Sequence, residues 1–291
     1  MEILAALIWV AIALFLLGLL FPDHARKLSA AGWIAFGSFW VTRLPYYMNE
    51  THSFVKTILI VAAFPASLYF AYQILFRKQD VLVKLSQAVA AMGLIYLPFA
   101  FYTPASNFLI EHTAAMEYHA LNLLGIDANL VSRNGLENKF LIQNPETGKT
   151  YATYIILACT GIGSMAIFGG LIAVVKAPLD AKAKAFMVSI PVIYLLNLVR
   201  NVFITVAYGH QWFQIWGDTI NDYFGEPQGY ASFFWADKVI SQTLSVVVLI
   251  AITFMVIKFM PRVLTLINEL LDVLAGNSDG ETKMEFGKKA D

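Results

Sequence analysis

One cysteine stands in the 291 residues, in Ala158-Cys159-Thr160-Gly161-Ile162-Gly163-Ser164, at the mouth of an apolar run. A lone thiol has no intramolecular disulfide partner. A cysteine at the start of a helix lies where backbone N–H groups and the helix dipole favour the thiolate. Cys159 is therefore read either as a nucleophile or as a small buried core residue, and the charges inside apolar segments bear on the choice. Arg200 interrupts Ile193-Tyr-Leu-Leu-Asn-Leu-Val-Arg-Asn-Val-Phe-Ile204. An arginine at mid-bilayer costs about 2.5–3.5 kcal/mol on insertion scales, so it faces a bundle interior or wet cavity unless it snorkels to the outer interface. Asn197, one short turn earlier, is expected to hold the guanidinium from the same face. Lys238 follows Trp235 and Asp237 at the start of the last apolar run, as an interfacial anchor or as a participant in chemistry.

At a helical rise of ~1.5 Å per residue, Arg200 lies roughly 24 Å beyond Lys184, Cys159 about 25 Å from Lys176, and Lys238 about 30 Å from Lys258. Three capable side chains from three consecutive spans thus reach one level, near the outer edge of a hydrocarbon core ~30 Å thick.

Composition defines the solvent those residues meet. With 58% hydrophobic residues, 14% charged and a mean hydropathy of +0.64, the chain reads as a polytopic membrane protein. Zero formal net charge argues against a nucleic-acid partner. No zinc-type cysteine pattern, nucleotide-binding glycine motif or repeat stands out, and neither metal nor cofactor is expected.

The expected fold class is all-α, with about seven transmembrane helices: residues 3–20, 33–47, 55–76, 85–102, 161–175, 186–208 and 235–260. The first is not expected to be a cleaved signal, because no basic segment precedes it. Arg26 and Lys27, Arg77, Lys78 and Lys84, Lys176, Lys182 and Lys184, and Lys258 with Arg262 mark the cytoplasmic connections, whereas residues 209–234 carry no Lys or Arg. The N-terminus is therefore expected outside and the C-terminus inside, with the active site near the extracellular face. Residues 1–260 are expected to form a transmembrane catalytic domain with an extracellular insert at about 103–158. Residues 261–291 are expected to supply a cytoplasmic interfacial helix over 263–274 and a polar tail.

The insert predicts an amphipathic helix around 106–124 and a β-hairpin. Lys139–Gln143 and Thr150–Ile155 are β-prone runs flanking the turn residues Asn144–Gly148, and this hairpin leads directly into Cys159. His210, the usual residue type for a base beside a cysteine, is an alternative to Lys238 but lies ~15 Å beyond Arg200 if the helix continues. Glu111, His112, Glu117 and His119 match no zincin order and read as the polar face of the interfacial helix. Asp218, Asp222 and Glu226 read as a solvated outer loop. A Gly-x-Ser-x-Gly motif is absent, which disfavours a serine hydrolase.

Ala158–Ser164, Asn197-Leu-Val-Arg-Asn201 one span later, and a basic residue opening the last span together resemble the exosortase/archaeosortase superfamily, over roughly residues 85–260. Phe234-Trp-Ala-Asp-Lys-Val-Ile-Ser-Gln-Thr-Leu-Ser245 is similar to its archaeal branch. The resemblance implies a membrane transpeptidase with Cys159, Arg200 and a third basic residue as its catalytic set. That third residue is commonly His or Arg, and here Lys238 takes its place. Asn197, Thr160, Ser164 and Asp237 are the expected substrate-binding side chains. The implied partners are surface proteins carrying a C-terminal PGF-type sorting signal, with a membrane ether lipid as acceptor of the cleaved chain. A transporter or receptor binding a small anion at Arg200, or a non-enzymatic membrane scaffold, remains the alternative, and either tolerates loss of the thiol.

Overall fold

In hydrocarbon, every backbone N–H and C=O must find its partner within the protein, so long apolar runs wind into helices. The computed structural model describes residues 2–49 and 54–276. It contains helices α1 (Glu2–Leu20), α2 (Ala25–Asn49), α3 (Phe54–Phe76), α4 (Asp80–Phe101), α5 (Thr103–Leu123), α6 (Ile162–Val174), α7 (Leu179–Gly209), α8 (Gly217–Phe224), α9 (Tyr230–Phe233), α10 (Gln242–Phe259) and α11 (Arg262–Leu274). Each expected span coincides with a helix apart from a residue at some of its ends. Among the described residues, Ile58–Phe76, Asp80–Phe101, Leu179–Gly209 and Tyr230–Phe259 are long and apolar enough to cross a membrane, while Ala6–Leu20 and Ile162–Val174 are apolar but shorter. α2, which carries Arg26, Lys27 and Arg43, is in neither set. The expected polar tail over residues 277–291 lies outside the described residues.

The chain packs as two compact units, one comprising residues up to Gly93, Ala173–Ala177 and the segment from Pro261, the other Leu94–Ile172 with Pro178–Met260. In the first, the Trp33 indole donates to Ser86 Oγ across 2.9 Å. α11 is amphipathic, burying Val263, Leu266 and Val273, and its Val273 carbonyl accepts from the Tyr69 hydroxyl.

The second unit holds the residues that carry chemistry. α4 ends at Phe101, and Pro104 in the first turn of α5 loses no helical hydrogen bond there. The sheet, among the described residues, has three antiparallel strands, β1 (Asn129–Arg133), β2 (Leu136–Gln143) and β3 (Thr150–Tyr154), with β2 central. The β2–β3 hairpin is the expected one, its turn held by Asn144 Oδ1 accepting from the N–H groups of Glu146 and Thr147. β1 is not among the expected strands, although Asn134-Gly135 signals it: both have positive φ, 54° and 79°, as a two-residue hairpin turn of this kind requires.

Alternation along β2 sends Asn138, Phe140 and Ile142 inward, against Ile110, Ala114 and Leu121 of α5 and Val206 of α7. The approach is close. A Cβ on Gly209 of α7 stands 2.5 Å from Ile142 Cγ2, which only glycine avoids. The last apolar stretch begins earlier than expected, with α9 and a π-helical segment, Phe234–Ser241, leading into α10. Such widened turns recur at functional sites, and this one carries Asp237 and Lys238.

Candidate active site

Beyond β3 the chain is pinned before it reaches the cysteine. Ile155 N–H donates to the Asn138 carbonyl at 2.8 Å, and the Asn138 side-chain amide donates back to the Ile155 carbonyl at 2.9 Å. Leu157–Thr160 then forms a 3-10 turn, so Cys159 precedes α6 rather than lying in its first turn. The Cys159 N–H donates to the Ile156 carbonyl, which uses it within the turn. The Thr160 hydroxyl donates to the Leu157 carbonyl, and Thr160 is fully buried. Gly161 takes φ +77°, which swings the chain from the turn into α6.

Two amides from α7 hold this turn. The Asn197 and Asn201 side chains both donate to the Cys159 carbonyl, at 2.5 and 2.8 Å. At i and i+4 they share one face of α7 with Arg200 between them in sequence. The expectation that Asn197 holds the guanidinium is thus corrected: its amide is committed to the turn, and Arg200 is directed to another helix.

That other partner is Asp237. Its Oδ1 accepts from Arg200 Nη2 at 2.5 Å and its Oδ2 from Lys238 Nζ at 2.7 Å. The carboxylate is the hub of the cluster, a role that its place beside a lysine at a membrane boundary does not reveal. Lys238 is 45% exposed against 24% for Arg200 and 11% for Asp237, so of the three it projects furthest from the fold. Arg200 Nε is buried and donates to no protein atom. A cavity of about 380 Å³ opens here, walled by Gly161, Ser164, Asn197, Arg200, Ser241 and Ser245 and otherwise by aliphatic and aromatic side chains of α7, the π-helical segment and α10.

The thiol itself is partly buried. Burial pushes its pKa up; a hydrogen bond with the Ile156 backbone and the positive charge of Arg200 pull it down, while Asp237 and Glu117 oppose the thiolate. The helix-terminus expectation of a ready thiolate is therefore corrected, because desolvation outweighs the favourable charges.

Glu117 is a second correction. It belongs to no polar face: α5 turns it inward, where it is fully buried and neither carboxylate oxygen makes a hydrogen bond. Burial pushes its pKa up to about 7, opposed by the Thr205 hydroxyl, which is engaged with Thr153 at 2.9 Å. Glu111, His112 and His119 are exposed as expected, and so are Asp218, Asp222 and Glu226. His210 caps the C-terminus of α7 with its ring against Trp212. Because α7 stays helical to Gly209, His210 lies ~15 Å along the axis from Arg200, and the structure does not bring it to Cys159.

The family model described as transmembrane exosortase (Exosortase_EpsH) matches residues 3–236. Archaeosortase A of Haloferax volcanii is 36% identical over 287 residues, covering 93% of this chain and 94% of that protein. Archaeosortase A of Natronomonas pharaonis is 38% identical over 280 residues, covering 92% and 88%. No solved structure matches. With four helices among the described residues able to span a bilayer and a family match over most of its length, the chain is a multi-pass membrane protein and belongs to the transmembrane exosortase family.

Proposed function

We propose that this protein is a membrane-embedded cysteine transpeptidase that removes a C-terminal sorting signal from surface proteins and joins the remaining chain to a lipid. The observation that carries the reading is the double anchoring of the Cys159 carbonyl by Asn197 and Asn201, which flank Arg200 on α7 and hold the only cysteine in the field of that cation.

In this reading the Cys159 sulfur attacks the carbonyl carbon of the scissile peptide bond. Arg200, always protonated, directs its guanidinium charge toward the oxyanion as it develops. Collapse breaks the C–N bond, and the signal departs as an amine, leaving the surface protein as a thioester on Cys159. An amine of a membrane ether lipid then attacks the thioester and regenerates the thiol. Lys238, paired to Asp237, adds a second positive charge at the exposed side of the cluster. With a Cys159 thiolate, two cations face two anions and the site is neutral overall. Ser164 and Asn197 border the space for the substrate, Asp237 stands behind it through its pair with Arg200, and Thr160 holds the turn. The site stands near the extracellular face, with the N-terminus outside and the C-terminus in the cytoplasm. Substrates are surface proteins whose signals join a PGF-type motif to a transmembrane helix and a basic tail.

Intact-mass spectrometry of such a substrate, co-expressed with the wild type or Cys159→Ala, tests the reading. A shortened, lipid-modified product with the wild type alone is expected. Equal processing by Cys159→Ala, or an unmodified substrate beside a folded wild type, refutes it and favours an anion-binding transporter or a scaffold.

A further inference from the structure

A thiol that burial keeps protonated needs somewhere to send its proton, and the cations beside Cys159 are poor destinations. Arg200 stays protonated, Lys238 is bonded as an ammonium to Asp237, and both oxygens of Asp237 are occupied. His210 is a helix end away. The remaining group is Glu117 on α5, three residues after Ala114 and seven after Ile110, hence on the helix face whose Ile110, Ala114 and Leu121 share one buried cluster with Cys159 and with Val206 of α7. It is completely buried and neither oxygen is hydrogen-bonded, the Thr205 hydroxyl beside it being engaged with Thr153. An unpartnered buried carboxyl costs stability, and packing alone explains no such group.

The geometry points to Glu117 as the acceptor of the Cys159 proton. The inference rests on the thiol-transfer reading above. As sulfur bonds to the substrate carbonyl carbon, the S–H proton passes to a Glu117 carboxylate oxygen. When the C–N bond breaks, the departing amine takes that proton. In the second half the incoming lipid amine gives Glu117 a proton as it attacks the thioester, and the leaving sulfur recovers it. Atoms and charge balance in both halves. The field of the site favours the transfer: ionised Glu117 opposes a thiolate at Cys159, and once protonated it no longer does. The titratable neighbours are few. The 3-10 turn presents Cys159. On α7, Arg200 bears on Cys159 and the Tyr194 hydroxyl lies toward Thr113, and from the π-helical segment Asp237 bears on Cys159 with the opposite sign to Arg200. β2 turns Asn138, Phe140 and Ile142 inward, while Glu137 and Lys139 point the other way.

The test compares wild type, Glu117→Gln and Glu117→Asp as full chains in lipid nanodiscs, with two readouts: iodoacetamide alkylation of Cys159 at pH 8, and processing of a signal-bearing substrate. Glu117→Gln removes a negative charge, so alkylation is expected to be as fast as in the wild type or faster. Processing is expected to fall about 100-fold or more, the usual scale for a lost acid–base group. Glu117→Asp, which keeps the carboxyl, is expected to process at least about 10-fold faster than Glu117→Gln. Processing by Glu117→Gln within about threefold of wild type, or alkylation and processing falling together, overturns the assignment. Normal processing by Cys159→Ala instead sinks the parent reading, and leaves the alkylation comparison to report on Glu117 by itself.

Discussion

Glu117 also makes the stability of the fold depend on pH in a way that one substitution removes. Burial raises its pKa from 4.5 to about 7. Between those values the folded protein holds a proton that the unfolded chain has released, so the unfolding free energy falls as pH rises through that window. Below 4.5 both states are protonated and the contribution is fully present; above 7 both are ionised and it is lost. At 1.36 kcal/mol per pKa unit, the loss across the window is about 3 kcal/mol. A glutamine side chain at this position does not titrate. The stability of Glu117→Gln relative to wild type is therefore expected to climb by about 3 kcal/mol from pH 4.5 to pH 7 and then stay level. Thermal unfolding of the two proteins in the same detergent, from pH 4.5 to 8.5, measures this through tryptophan fluorescence and through the temperature at which Cys159 becomes open to a maleimide. The diagnostic quantity is the change in the difference between the two midpoints with pH. Parallel curves, with a constant gap over the whole range, refute the argument that Glu117 is buried without a partner.

Two further outcomes concern the cluster around the thiol. Arg200→Lys keeps the positive charge but loses the planar donor fork, and processing is expected to fall roughly 100-fold, as for a lost oxyanion donor; turnover near wild type in the co-expression assay counts against an oxyanion role. Asn197→Ala and Asn201→Ala each remove one of two donors to the Cys159 carbonyl, at a cost of about 1 kcal/mol apiece. The double variant leaves that carbonyl without a side-chain donor and is expected to lose more stability than the sum of the singles. Strict additivity in a double-mutant cycle on thermal unfolding means the two amides do not share this acceptor.

The solvent, the helical class, the hairpin into Cys159 and the family were all legible in the sequence, because each is written in local pattern. Apolar length signals a helix in hydrocarbon, Asn144–Gly148 between β-prone runs signals a turn, and Ala158–Ser164 with Asn197–Asn201 carries the resemblance that the family match upholds. β1 was not among the expected strands: Asn134-Gly135 signals its turn, but the strand is short and its alternation weak. The partners of the reactive side chains were another matter. Asn197 and Arg200 share a helix face, yet whether they bind each other depends on what packs opposite, and here the 3-10 turn takes the amide while the π-helical segment takes the guanidinium. Spacing on α5 shows that Glu117 and Glu111 point in different directions, but not which direction is covered. Periodicity within one element is set by backbone geometry and can be read along the chain. Burial, ion pairing and the protonation of a thiol are set by atoms brought from elsewhere, and only the tertiary structure decides them.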